Sequence, residues 1–183
     1  ETQLSALRSQ INPHFLFNSL NVVYAMALEK NEEITSAIIQ LSDILRYVIY
    51  DSDTERVLLK DEVQLLRNYI AFQNHRLETP YETHLEVTMT DENYKIYPML
   101  LLPLLENSYK HGIVLGKTKV PISILMIQTD GKFEFSISNA NLNTKNQLND
   151  KHSGVGLKNL KNNLNLVYPN RHQLKIEPSE ALF

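Results

Sequence analysis

The chain has 183 residues, 43% of them apolar, with 18 basic and 21 acidic side chains and a net charge of -3. That is enough apolar material for one domain or two small ones with packed cores, which argues against global disorder. The well-mixed charge offers no broad positive field for direct nucleic-acid binding or for anionic lipid, and the lack of any cysteine removes disulfides, thiolate nucleophiles and cysteine zinc sites.

No apolar run approaches the roughly 20 residues that cross a bilayer, and Glu1 to Gln10 form a polar helical pattern unlike a signal peptide. The covered chain therefore reads as soluble. It opens without methionine, in the middle of a helical pattern, so it is expected to be a piece of a longer protein.

From Leu4 to Ala27 there is no glycine, and Leu4, Leu7 and Ile11 fall at helical spacing before Pro13 interrupts it, so a helix bent near Pro13 is predicted. After the polar stretch Glu29 to Glu33, Ile34, Ile38, Leu41, Leu45 and Val48 line one face of a second helix. Such a hairpin cannot cover its own apolar stripes. Pairing two copies into a four-helix bundle is the cheapest remedy, so burial alone predicts a homodimer.

A polar linker from Tyr50 to Arg56 sets the expected domain boundary, giving a helical hairpin over 1–52 and a second domain over 53–183. Leu59, Val63, Leu66 and Ile70 then predict a third helix running to about Leu77. The pattern beyond is mixed: a strand over His84 to Thr90, a helix over Pro98 to Lys110, and strands over Ile122 to Thr129 and Phe133 to Ser138. Asp130-Gly131 between the last two is a hairpin signal, because both residues tolerate the positive φ of a type I′ turn. The polar, pattern-free stretch Asn139 to Ser153 reads as a long functional loop. Gly154-Val155-Gly156 opens a helix with Leu157, Leu160, Leu164 and Val167 on one side, ended by Pro169, and a last strand is predicted around Gln173 to Glu177. The fold class expected is α+β, a helical hairpin followed by an α/β sandwich with a mixed sheet.

On the first helix His14, Asn18 and Asn21 share a narrow polar strip inside an apolar surface of Ile11, Phe15, Leu16, Phe17, Leu20 and Val22. Taken alone, such a histidine reads as a core or helix-terminal polar residue. Its context, Gln10-Ile11-Asn12-Pro13-His14-Phe15-Leu16-Phe17-Asn18-Ser19-Leu20-Asn21, closely resembles the phosphoacceptor box of the LytS type of sensor histidine kinase. Imidazole suits that task, because its neutral nitrogen is a good nucleophile near neutral pH and its phosphoramidate is labile enough to pass phosphate on. No acid follows His14; Phe15 stands there. Phe15 and Phe17 read as packing residues.

The stretch Pro98 to Gly112, with Leu105-Glu106-Asn107-Ser108-Tyr109-Lys110-His111 at its centre, resembles the asparagine-box helix of the ATPase fold shared by gyrase, MutL and histidine kinases. The resemblance implies that Asn107 coordinates Mg2+ and that Lys110 and His111 reach the phosphates of ATP. Helical spacing is compatible, since residues three and four apart project from one face, and a hard cation that keeps several waters needs only one or two protein oxygens. Gly154, Gly156 and Leu157 resemble the second glycine box of that fold, where backbone N–H groups approach phosphate at a helix N-terminus. The loop Asn141 to Ser153 is then the expected lid over ATP.

Two departures from the family stand out. Where its adenine-reading aspartate is expected, the chain has Ser138-Asn139-Ala140; Asn139 can accept from the adenine amino group but lacks the charge, which lowers the expected affinity. Four residues before Asn107, where the fold can hold a glutamate base or a second asparagine, stands Pro103, leaving Glu106 as the candidate base or magnesium-shell organiser. Leu41 to Tyr47 and Tyr69 to Leu77 also resemble the family and are expected at interdomain contacts. Arg46 and Arg76, within them, read equally well as solvated residues.

The resemblance implies a homodimeric protein histidine kinase that autophosphorylates His14 from ATP with Mg2+ and passes the phosphate to a response regulator. It also implies a cytoplasmic portion of a bacterial inner-membrane protein, anchored by a segment outside this chain. Two alternatives stay open: an ATPase switch of the same fold, which would have no use for His14, and a degenerate dimeric scaffold that catalyses nothing.

Overall fold

A computed structural model of the chain describes residues 13–52, 54–75, 82–112, 121–139 and 155–176. The chain forms two compact units, the first from Glu1–Pro80 and Glu92–Met99, the second from Tyr81–Asp91 and Leu100–Phe183. These bounds differ from a division at the 50–56 linker, because the third helix packs on the hairpin and the segment before Met99 folds back onto it.

In the first unit, helix α1 (Pro13–Leu28) and helix α2 (Ile34–Arg46) form the hairpin. Lys30 takes a left-handed φ of 53°, its N–H donates to Ala27 O at 3.2 Å, and Asn31 N–H donates to Met26 O at 3.0 Å. This is a Schellman stop, built on lysine where glycine is usual. Asn31 Oδ1 then accepts from Glu33 N at 2.8 Å and launches α2.

Along α1 the residues Phe15, Ser19, Val22 and Met26 face inward, half-buried or buried, at intervals of a helical stripe. On α2 the buried residues are Ala37, Leu41 and Ile44, and Ile38 is 48% exposed. The stripe expected through Ile34, Ile38, Leu41, Leu45 and Val48 is thus split. Ala37 is fully buried on the inner face and Ile38 is turned outward. Helix α2 also ends earlier than expected, widening into a π-turn at Tyr47–Asp51.

Helix α3 (Leu59–Asn74) follows strand β1 (Val57–Leu58) and packs against α2. It buries Leu59, Val63, Leu66, Tyr69 and Phe72, as its spacing predicts, and also Glu62. A short strand β3 (Lys95–Ile96) pairs antiparallel with β1, and Leu59 N–H donates to Tyr94 O at 2.8 Å. The 94–96 segment is thereby fixed to the start of α3.

In the second unit, strands β2 (Thr83–Met89), β4 (Ile122–Thr129) and β5 (Lys132–Asn139) form a mixed sheet in the order β2-β4-β5, with β2 parallel and β5 antiparallel to β4. Ile122, Ile124, Met126 and Gln128 are buried on one face, whereas Ser123 and Leu125 are exposed on the other. Asp130 and Gly131 have φ of 50° and 71°, the pair of left-handed residues that a type I′ hairpin turn needs. The buried Gln128 closes the end of β2, its Oε1 accepting from Thr90 N at 3.1 Å and Asp91 N at 2.8 Å.

Helix α4 (Leu102–Gly112) and helix α5 (Val155–Val167) complete this unit. α4 packs on both β5 and α5. It starts later than the expected Pro98 because Met99 adopts a left-handed φ of 62° that no helix can run through. Pro103 then falls in the first turn, where a missing N–H costs nothing. The strand expected around Gln173 to Glu177 is absent over 172–176, which have no ladder partner among the described residues; His172 Nδ1 instead bonds Tyr168 O at 2.8 Å, closing the end of α5. The α+β class stands, with a helical N-terminal part and an α/β part built on a mixed sheet.

Candidate functional site

His14 lies in the first turn of α1 as described, and its neighbour Phe15 stacks on Tyr69 of α3, ring centroids 5.7 Å apart and planes inclined by 28°. Such a pair contributes about 1 kcal/mol beyond its area. It anchors the backbone beside the histidine to the third helix. Phe17, by contrast, is 66% exposed, so it is no packing residue within a single chain. The bend predicted near Pro13 turns on the residues before it, which lie outside the described residues, as does the direction of the imidazole.

Helix α4 presents Leu102, Leu105, Ser108 and Tyr109 to the core, and Leu101 just before it is buried too. Tyr109 Oη bonds Thr83 Oγ1 at 2.9 Å, which pins the helix to β2. By helical rotation Asn107 lies nearly opposite Leu105. Even so it is half-buried, as is Glu106. Burial pushes the Glu106 carboxyl up from its ordinary 4.5 to about 7, so at neutral pH it exists as acid and carboxylate together.

Lys110 and His111 continue the same helix to its end at Gly112; their side chains lie outside the description. Asn139 is the last residue of β5, opposite Ile122 in register. Gly156 and Leu157 fall in the first turn of α5, while Gly154 and the expected lid 141–153 lie outside the described residues. Because α4 packs on both β5 and α5, the unit brings together the three elements that bear the candidate nucleotide residues. A helix N-terminus and an amide-bearing helix within one unit are features that suit a polyphosphate with its cation. Among the described residues no group of three or more acidic or histidine side chains converges as a protein-only metal site.

Residues of the stretches Leu41 to Tyr47 and Tyr69 to His75 meet partners inside the first unit, while Arg76 and Leu77 lie outside the described residues. At the end of α3, His75 Nδ1 lies 3.0 Å from Glu33 Oε2 and Nε2 lies 3.1 Å from Gln40 Oε1, tying α3 to the start of α2. Arg46 pairs with Asp43 at 3.4 Å on the surface, a solvated contact of little energetic weight. Glu62, which sequence reasoning passed over, is wholly buried and accepts hydrogen bonds from Tyr47 Oη at 2.5 Å and Met99 N at 2.8 Å. The available signal was an acid three residues after Leu59, on the apolar face of α3. Burial, with the nearby Glu62 charge, holds the Tyr47 phenol far above its ordinary range, so it stays a donor.

Among the described residues no helix is long and apolar enough to cross a membrane. Residues 2–81 match the histidine kinase family model. The chain is 33% identical over 141 residues to the sensor histidine kinase YpdA of Escherichia coli, covering 75% of this chain and 24% of that protein. It is 30% identical over 130 residues to the sensor protein LytS of Oceanobacillus iheyensis, covering 71% of this chain and 22% of the relative. To the sensor protein kinase HptS of Staphylococcus aureus it is 31% identical over 112 residues, 61% of this chain and 21% of the relative. The chain thus spans under a quarter of the length of these curated relatives. With a helical hairpin bearing a histidine box, and an α/β unit bearing an asparagine helix, the chain belongs with the LytS-type sensor histidine kinases.

Proposed function

We propose that this chain is the autophosphorylating core of a two-component sensor, dividing its labour between a phosphoacceptor and dimerisation hairpin over 1–52 and a nucleotide-binding domain over 53–183. The observation that carries this reading is the packing of the asparagine helix α4 against both β5 and α5 within one unit, in a chain whose first helix bears His14. In this reading Asn107 gives one oxygen to Mg2+, and Lys110 and His111 contact the phosphates. Asn139 accepts from the adenine amino group, while the backbone at Gly154, Gly156 and Leu157 lines the phosphate side. Mg2+, when bound, offsets charge on the triphosphate. The neutral His14 nitrogen attacks the γ-phosphorus, the bond to the ADP oxygen breaks, and the imidazole proton leaves to a base, for which Glu106 is the candidate. Positioning does most of the work in such transfers.

The homodimer has its own support. Phe17, Leu20, Tyr24 and Leu28 are 66%, 50%, 65% and 67% exposed and recur every three or four residues along α1. Ile38 and Ile39 of α2 are 48% and 56% exposed. A second copy would cover this stripe in a four-helix bundle. Transfer from His14 to an aspartate of a response regulator, and attachment to the inner membrane through a segment outside this chain, complete the proposal.

Binding of a fluorescent ATP analogue tests the nucleotide half. Mg2+-dependent binding that Asn107→Ala weakens about tenfold or more is expected, since one lost metal ligand is worth at least that much. Failure to bind at all, with or without Mg2+, would favour the degenerate scaffold.

A further inference from the structure

Glu62 is the one wholly buried acidic residue among the described residues, and the chemistry above makes no use of it. Two of its donors come from segments far apart in the chain. Tyr47 opens the π-turn at the end of the hairpin, a turn closed by Ser52 N–H donating to Tyr47 O at 2.9 Å and Ser52 Oγ donating to Val48 O at 2.7 Å. Met99 is the last residue of the first unit and stands three residues before α4, the helix of Asn107.

A buried acid is a poor choice for stability alone, because an apolar side chain of similar volume often serves as well or better. Nor is the site relaxed. A left-handed methionine is costly and persists only where its surroundings over-determine it. Here those surroundings are the hydrogen bond from its amide to Glu62 and, upstream, the β1–β3 pairing and the Leu59–Tyr94 bond that hold the strand on α3. One carboxyl oxygen therefore fastens both the end of the hairpin and the strained residue from which the chain enters α4.

We infer that Glu62 is a positioning residue for phosphoryl transfer: with Tyr47 and the Met99 amide it forms a clasp that couples the C-terminal end of the phosphoacceptor hairpin to the start of the Asn107 helix. This inference rests on the kinase reading above. Physically, a displacement of the hairpin end that withdraws the Tyr47 hydroxyl removes one hydrogen bond from the buried carboxyl and frees it to turn, which favours release or reorientation of Met99. The clasp thus has two discrete arrangements, made and broken, and anything that moves the end of α2 biases them.

The experiment compares the chain with Tyr47→Phe and Glu62→Gln versions by amide exchange, by affinity for the ATP analogue and by the rate of labelling from γ-labelled ATP at saturation. Tyr47→Phe removes one donor without a large change in volume. It should speed exchange of the Leu104 and Leu105 amides, which close the first turn of α4 onto Leu101 O at 3.1 and 3.2 Å, by about fivefold or more while leaving β4 and β5 unchanged. Nucleotide affinity should stay within about twofold and the labelling rate fall about fivefold or more, the split expected of a positioning residue. Glu62→Gln keeps an acceptor oxygen for both donors and should stay near the parent in every readout. Unchanged exchange at Leu104 and Leu105 in Tyr47→Phe would overturn the clasp, as would a labelling loss explained by weaker nucleotide binding. Should the parent chain take no label, the kinase reading fails and the exchange comparison alone decides whether the clasp exists.

Discussion

Replacing Glu106 with glutamine should make the protein less sensitive to rising pH, and the size of the effect follows from its burial. The carboxyl is pushed from 4.5 to about 7 in the folded chain, with burial as the cause. A folded pKa above the unfolded one means that the native state holds its proton more tightly, so this group's contribution is fully present below about pH 4.5. It is lost as pH rises to about 7, and beyond that the ionised, half-buried carboxylate lowers stability by up to about 3 kcal/mol relative to the neutral form. Glutamine is neutral throughout. Urea unfolding of parent and Glu106→Gln at about pH 5 and about pH 8.5 isolates the group, because the other titrating residues cancel in the difference between the two proteins. The variant should gain on the parent by about 1 to 3 kcal/mol between the two conditions. A difference that does not change with pH would refute the desolvation argument and, with it, the case for Glu106 as a base poised near neutrality. If Glu106 is that base, the parent's labelling rate should also rise through about pH 7 and the variant's should be low and flat.

The exposed stripe on α1 predicts that Leu20→Glu with Tyr24→Glu converts a dimer to a monomer by light scattering, with the helical signal of the chain largely kept; a dimer that survives both charges would place the self-association elsewhere. At the hairpin turn, Gly131 has a φ of 71° and open space around a built Cβ, so Gly131→Ala should cost about 1 to 2 kcal/mol through backbone strain alone. Thermal unfolding of the variant measures it, and an unchanged midpoint would contradict the left-handed assignment.

Much of the fold was legible because its signals are local. Strand β4 runs over Ile122–Thr129 as its alternation predicts, and Asp130-Gly131 turns the chain into β5 with the two positive φ angles that the residue types foretell. Where partners distant in sequence decide, the pattern ran out. Two residues, Val57–Leu58, become a strand only because Lys95–Ile96 reach them, and the alternation after Gln173 makes no strand over 172–176 because no ladder partner among the described residues meets it. Helical periodicity found α2 but assigned Ile38 to the inner face, since a stripe read from apolar residues alone undervalues a close-packed alanine such as Ala37. Met99 likewise delays α4 for a reason no propensity encodes, a left-handed residue held by a side chain 37 positions away.

The candidate site was legible in a different sense. His14, Asn107, Lys110 and Gly156 stand out through the motifs around them, which resemble those of the histidine kinases, whereas the half-burial of Glu106 and Asn107 arises from tertiary packing around α4. Glu62 shows the converse: its type is ordinary in a first helical turn, where acids favour the dipole, and only its depth in the core sets it apart.

The account turns on His14 receiving phosphate, and labelling with γ-labelled ATP and Mg2+ measures that directly. The parent chain should acquire a label that acid removes and alkali spares, as a phosphoramidate does, while His14→Gln and Asn107→Ala acquire none. Label that persists in His14→Gln, or that resists acid, would contradict the account.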